Sequence, residues 1–174
     1  MNIILIGFKN AGKTTIGQQL AEQLQWPFFD TDELLKNLYN HVNSSDFSVP
    51  EIYKREKADG FRAWEQNAIE SLLETEDSVI ATGGGCVLTE ENVAILKRMG
   101  KVIYLQVSAN ELLKRQENTR VPAFMNKADP TIDFLKIYAE REPIYEKIAD
   151  SIVEVENKDS IDIIAEIVGF IIKE

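Results

Sequence analysis

The chain carries one cysteine, Cys86, and one histidine, His41, in 174 residues. A single thiol cannot close an internal disulfide, so a reducing cytoplasm is the expected setting. A catalytic thiol would want an imidazole beside it, and His41 stands in no pattern with Cys86, which reads instead as a small buried hydrophobe. Long apolar runs are missing as well: none approaches the roughly 20 residues of a membrane helix. The apolar start of the chain ends within a few residues and lacks the basic flank and cleavage site of a secretory signal. Positive charge is scarce. With 29 acidic against 19 basic residues the net charge is −10, which argues against a nucleic-acid surface built on clustered Lys and Arg. In so acidic a chain, cations at any anion-binding site must be placed deliberately.

What remains fits one globular domain spanning residues 1–174, long enough for a proper core. Five short apolar runs, "NIILIGF", "WPFF", "SVIAT", "KVIYLQV" and "SIVEV", are continuous rather than alternating, as in strands buried on both faces of a parallel sheet. Helical patterns lie between them. Ile16, Leu20 and Leu24 form one stripe, and Phe61, Trp64, Ala68 and Leu72 another. "TEENVAILKRMG" runs from an N-cap at Thr89 to a stop at Gly100, and "SANELLKR" pairs Ser108 with Glu111 as a capping box. Strand and helix alternate throughout, the signature of a doubly wound α/β fold, in which ligands bind beyond the carboxyl ends of the strands. Asn40–Pro50 and Gln116–Pro130 read as loops.

The strand ends hold the chemistry. After the first comes "GFKNAGKTT", Gly-x-x-x-x-Gly-Lys-Thr, whose backbone N–H groups from Asn10 through Ala11 and Gly12 to Thr15 would wrap nucleotide phosphates. In this pattern Lys13 reaches the β/γ oxygens and the Thr14 hydroxyl ligates Mg²⁺. Asn10 stands where a glycine is common, and Asn tolerates left-handed backbone. After the second strand, "FFDTDELL" would project Asp30 and Asp32 to one side if the backbone there is still extended; equally, Asp32 or Thr31 could cap a helix starting at Glu33. After the third, Gly83, Gly84 and Gly85 permit close approach of a ligand or a tight turn. Arg62, with Glu65 three residues on, is either a placed cation or a solvated pair. Arg141 precedes Pro143, which should kink or end its helix. Arg120 lies in the second loop, where it could fold over a transferring phosphoryl group.

In order and spacing, "GFKNAGKTTIG", "FFDTDELL", "GFRAWE", "VIATGGGCVL", Arg120 and "REPIYEKIAD" resemble the shikimate kinase family over nearly the whole chain. The resemblance implies a three-layer α/β/α P-loop kinase fold around a five-stranded parallel sheet, like the nucleoside monophosphate kinases. A substrate-binding region would span about residues 31–62 and a lid about residues 112–128. It implies transfer of the ATP γ-phosphoryl to the 3-hydroxyl of shikimate, with one Mg²⁺, in a cytoplasmic monomer that engages neither nucleic acid nor membrane. Carried over, Lys13 and the loop hold ATP, and Thr14 with Asp30 (through water) holds Mg²⁺. Asp32 orients or deprotonates the acceptor hydroxyl, Arg62 and Arg141 grip the shikimate carboxylate, Gly83–Gly85 offer backbone contact, and Arg120 neutralises charge in transfer. The chain departs from the family pattern in its lid, "RVPAF" in place of Arg-Pro-Leu-Leu. It also departs at "KADGFR", which lacks the Gly-Glu pair expected before Phe-Arg. The alternatives are a gluconate-type or nucleotide kinase on the same scaffold, or a catalytically silent ATP-binding protein.

Overall fold

The structure, a computed structural model, describes residues 1–117 and 130–172. Its elements run β1 (Asn2–Ile6), α1 (Lys13–Leu24), β2 (Phe28–Asp30), α2 (Thr31–Asn43), α3 (Val49–Glu70), β3 (Val79–Ala81), a 3-10 turn (Cys86–Leu88), α4 (Glu90–Met99), β4 (Gly100–Gln106), α5 (Ala109–Glu117), α6 (Pro130–Ile148), β5 (Ser151–Glu154) and α7 (Ser160–Ile172). The five strands form one parallel sheet in the order β2-β3-β1-β4-β5. All five apolar runs therefore become strands. Ile3, Ile4, Leu5 and Ile6 of the central β1 have no exposed surface, since helices cover both faces of such a sheet. Each such side chain contributes about 1.5–3 kcal/mol of burial, and β1 anchors the main core.

The register decides where the strand ends fall. Leu5 is opposite Ala81 and Ala81 is opposite Asp30, so β1, β3 and β2 finish level with one another. The turns that follow them, carrying the phosphate loop, the glycine run and the Asp30–Asp32 segment, must emerge side by side. The crossover from β3 to β4 passes β1, the point at which doubly wound sheets bind ligands.

A second, smaller core gathers Leu35, Tyr39, Ile52, Phe61 and Ala68 from α2 and α3, and the Tyr39 hydroxyl donates to Glu56 Oε1 at 2.7 Å. Helix α3 is not continuous: Lys57 takes φ 58°, ψ −171° inside it, a conformation that is essentially glycine's. That break lies in "KADGFR", where the family's Gly-Glu pair is absent.

Several local expectations are corrected. Asn40–Pro50 is mostly helical. Its short irregular part is tied down by Asn40, whose side chain donates to Phe47 O and accepts from Phe47 N and Ser45 Oγ. A capping box of Ser48 with Glu51 then starts α3. The box at Ser108 is only half formed. Ser108 Oγ accepts from Glu111 N at 3.3 Å, but the Ser108 N–H donates to Glu156 rather than Glu111. Thr89 and Gly100 bound α4 as expected, although no side-chain cap bond forms at Thr89. Of the two outcomes expected at Pro143, a kink or an end, the end is excluded: α6 continues through it to Ile148, its far end held by the buried Tyr145. The segment with Arg120 and "RVPAF" lies outside the described residues.

Candidate active site

The phosphate loop is bent by its own sequence. Asn10 takes φ 67° and Gly12 φ 96°, left-handed positions that Asn and Gly fill at least cost. The Ala11 N–H closes the bend onto Phe8 O at 3.2 Å, and α1 begins at Lys13, so the helix N-terminus faces the loop. The Lys13 ammonium is turned into the loop, donating to Gly7 O at 2.8 Å and Phe8 O at 2.7 Å. Burial pulls its pKa down to about 8, against the pull of the Asp32 and Asp30 carboxylates.

Asp30 does two things at the end of β2. Its Oδ1 accepts from the Asp32 N–H at 3.0 Å and so caps α2, which begins at Thr31. Its Oδ2 accepts from the Thr14 hydroxyl at 2.8 Å. The cap is therefore Asp30, not Asp32 or Thr31, and the segment is not extended through Asp32. Thr31 instead accepts from the Gly83 N–H at 3.0 Å, locking the second strand end to the third. Asp32 is left to face the cleft. Burial raises its pKa, Asp30 adds to the rise, and Lys13 and then Lys9 oppose it.

The three glycines are explained by what presses on them. A Cβ on Gly83 would run into Asp32 Oδ1, with Glu65 Oε1 3.4 Å away. One on Gly85 would stand 2.5 Å from Arg62 Nη2 and 2.6 Å from Nη1, and one on Gly84 would stand 3.1 Å from Lys9 N. The run seats a carboxylate, the phosphate loop and a guanidinium in turn. Arg62 is no solvated pair: its Nη1 donates to Glu65, which is only 4% exposed. Burial pushes the Glu65 pKa up while the Arg62 charge opposes the rise.

These groups line one cleft of about 1340 Å³. Asn10, Gly12, Lys13, Thr14 and Thr15 stand on one wall, with Asp30, Asp32, Arg62, Gly84, Gly85 and Arg141 around the rest. Ala11 is buried behind the loop, and Gly83 sits behind the Asp32 carboxylate. Both halves of α3 reach the cleft, through Pro50, Glu51 and Lys54 before Lys57 and through Phe61, Arg62 and Glu65 after it. Cys86 lies beneath, buried and free of disulfide; burial, with Glu65 and Asp32 nearby, pushes its thiol pKa well up, so it behaves as a hydrophobe.

Five further residues bear on the site and were assigned no role by the sequence pattern, although Phe8 and Lys9 stand in "GFKNAGKTTIG" and Tyr145 in "REPIYEKIAD". Lys9 lines the cleft. Arg115 of α5, held by Glu111 at 2.9 Å, donates to Asn10 O at 3.2 Å. Phe8 stacks on Tyr138 with centroids 4.7 Å apart, and the Tyr145 hydroxyl donates to Gly84 O. For Arg115 the available signal is its i, i+4 spacing from Glu111; for Phe8, Lys9 and Tyr145 it is their place inside the quoted motifs.

Among the described residues no cluster of three or more His, Cys, Asp or Glu could hold a metal. No described helix is long and apolar enough to cross a membrane.

A family model described as shikimate kinase matches residues 9–172. A shikimate kinase of Neisseria gonorrhoeae is 36% identical over 155 residues, covering 89% of this chain and 88% of the relative. One of Pseudomonas syringae pv. tomato is 36% identical over 168 residues, covering 97% and 94%. Among solved structures, shikimate kinase from Acinetobacter baumannii in complex with shikimate superposes with a TM-score of 0.84 at 28% identity, covering 99% of this chain and 93% of that one. With a matching sheet, a matching set of strand-end motifs and relatives aligned over nearly its full length, the chain belongs to the shikimate kinase family.

Proposed function

We propose that this protein transfers the γ-phosphoryl group of ATP to the 3-hydroxyl of shikimate, yielding shikimate 3-phosphate and ADP on the way to chorismate and the aromatic amino acids. One observation carries the reading: a single cleft holds Lys13 and Thr14 on one side, with Asp32, Arg62 and Arg141 facing them. Two planar guanidinium forks suit a carboxylate, which favours a sugar-like acid over a nucleotide acceptor.

On this reading the loop from Asn10 to Thr15, with Ala11 and Gly12, cradles the ATP phosphates through its N–H groups. Lys13 leaves the Gly7 and Phe8 carbonyls for the β- and γ-oxygens. Residues 31–62 form the acceptor region, and Arg62 and Arg141 take the shikimate carboxylate. Gly84 and Gly85 contact the ring hydroxyls, while Gly83 gives Asp32 its room. Asp32 accepts the proton of the attacking hydroxyl. As that O–H bond breaks, the oxygen forms its bond to the γ-phosphorus and the bond to the ADP oxygen breaks. Transfer of this kind needs positioning and charge neutralisation more than covalent chemistry. Arg120, in the lid of residues 112–128, keeps the charge-neutralising role.

The donors present fit one Mg²⁺. The Thr14 hydroxyl and Asp30 carboxylate are already in contact at 2.8 Å, a hydroxyl and a carboxylate of the kind that complete the shell of an ion bound mostly by phosphate oxygens and water. When bound, the ion supplies charge neutralisation at the β- and γ-phosphates. The buried, unpaired Cys86 and the net charge of −10 support a cytoplasmic protein that engages neither nucleic acid nor membrane; that it acts as a monomer is checked by a sedimentation mass of one chain.

The test is ADP release with Mg-ATP and shikimate, gluconate, AMP or no acceptor. Release with shikimate alone, lost in Asp32→Asn, is the expected result. Release with gluconate would keep the scaffold and the carboxylate clamp but overturn shikimate as the acceptor, and release with AMP would overturn the clamp as well. Tight ATP binding with no release from any acceptor would mean a silent protein.

A further inference from the structure

Tyr145 is fully buried near the end of α6, and it touches both loops that must cooperate in transfer. Its hydroxyl donates to the Gly84 carbonyl. Its ring meets Phe8 of the phosphate loop edge-on, centroids 4.9 Å apart at 66°, and stacks on Tyr104 of β4 at 5.1 Å and 18°. Phe8 is not a bystander in its loop, since its carbonyl accepts from both Lys13 Nζ and the Ala11 N–H. Phe8 also stacks on Tyr138. Tyr138, Arg141 and Tyr145 are spaced by three and four residues, so they share one face of α6. The arginine of the cleft is thus carried between two rings that grip the phosphate loop.

The bond to Gly84 matters because a peptide is planar. Fixing the Gly84 C=O also fixes the direction of the Gly85 N–H, and with it the backbone on which the Arg62 guanidinium rests. The same glycine packs against the phosphate loop, at the contact with Lys9 N already described.

We propose that Tyr145 is a positioning residue that couples the nucleotide loop to the acceptor site, holding the glycine run in register with Phe8 so that each substrate prepares the site of the other. The inference rests on the reading of this cleft as the ATP and shikimate site.

Tyr145→Phe keeps the ring and removes only the hydroxyl. The KM for shikimate should rise about fivefold or more, the size expected when a buried hydroxyl loses its bonds to Gly84 O and to Arg141, while the Kd for ATP in the absence of shikimate stays within twofold. The gain in shikimate affinity on adding a non-hydrolysable ATP analogue should shrink toward none. Phe8→Leu, which leaves the hydroxyl bond in place, should weaken the same gain while leaving shikimate affinity without nucleotide within twofold. A Tyr145→Phe protein that melts earlier yet keeps the wild-type KM and the wild-type gain would overturn the inference, because the tyrosine would then be core only. Wild-type turnover of shikimate, measured first, separates the two failures. Its absence sinks the functional reading and the inference together, whereas its presence beside an unaffected Tyr145→Phe sinks the inference alone.

Discussion

The Arg62 guanidinium occupies the space that a side chain on Gly85 would need: a Cβ there would lie 2.9 Å from Cζ and closer still to both terminal nitrogens. Only the absence of that carbon lets α3 bring its arginine against the turn after β3, with Glu65 holding the other side.

Gly85→Ala should therefore act on the acceptor and not on the nucleotide. Displacing a guanidinium from a carboxylate forfeits a charge-assisted bond worth about 1.5–3 kcal/mol, so the shikimate KM should rise about tenfold to a hundredfold. ATP affinity in the absence of shikimate should stay within twofold. Steady-state kinetics with each substrate varied in turn check this, and equal weakening of both would disprove the local seat.

Lys13 makes the stability of the ligand-free protein depend on pH in a specific window. Its folded pKa, about 8 against 10.5 when unfolded, means the unfolded chain holds more protons between those values. Stability therefore rises with pH across that window. Lys13→Met should remove this rise, by up to about 1.4 kcal/mol per pH unit. Above about pH 10 the buried Tyr104 and Tyr145, whose pKa values are raised by burial, act the other way, because the unfolded chain then loses protons that the folded chain keeps. Urea midpoints of the two proteins from pH 7.5 to 10 give the comparison.

Lys9 bears on Asp32. Burial and Asp30 raise the Asp32 pKa, and Lys9 is one of two lysines that hold it down. Lys9→Met should let it rise further, moving the acid limb of kcat/KM to higher pH by up to about one unit. An unmoved limb would mean that another group, such as Glu65, controls it.

The break in α3 stores strain. A non-glycine residue in the Lys57 conformation costs on the order of 1–3 kcal/mol, so Lys57→Gly should raise the urea midpoint by about 1 kcal/mol of stability. Lys57→Ala, with the same backbone difficulty, should change it little. Stabilisation by both would assign the effect to the lysine side chain instead.

Much of this molecule was legible beforehand because the signals are local. The five apolar runs become strands; the inner β1 and β3, covered on both faces, are buried at every position, whereas the edge strands β2 and β5 are only partly covered. The phosphate loop was readable because Asn10, Gly12, Lys13 and Thr14 act within one turn. Caps were less legible, because Asp30, Thr31 and Asp32 are all capable of capping and the choice depends on where β2 stops. The irregular stretch around Asn40 looked like a long loop because its polar residues are turn formers, yet one asparagine side chain satisfies most of it.

The alternation of elements, the phosphate loop and the residue types placed at the strand ends follow from local signals along the chain. Those depend on the periodicity and backbone preferences of neighbours along the chain. Packing alone settles that Gly83 and Gly85 seat Asp32 and Arg62, that Thr31 ties β2 to β3, that Lys57 breaks α3, and that Phe8 packs on both Tyr138 and Tyr145. Each of these contacts joins residues from different elements. Such contacts are set by strand register and helix crossing, which emerge from the packing of the whole core rather than from any one segment.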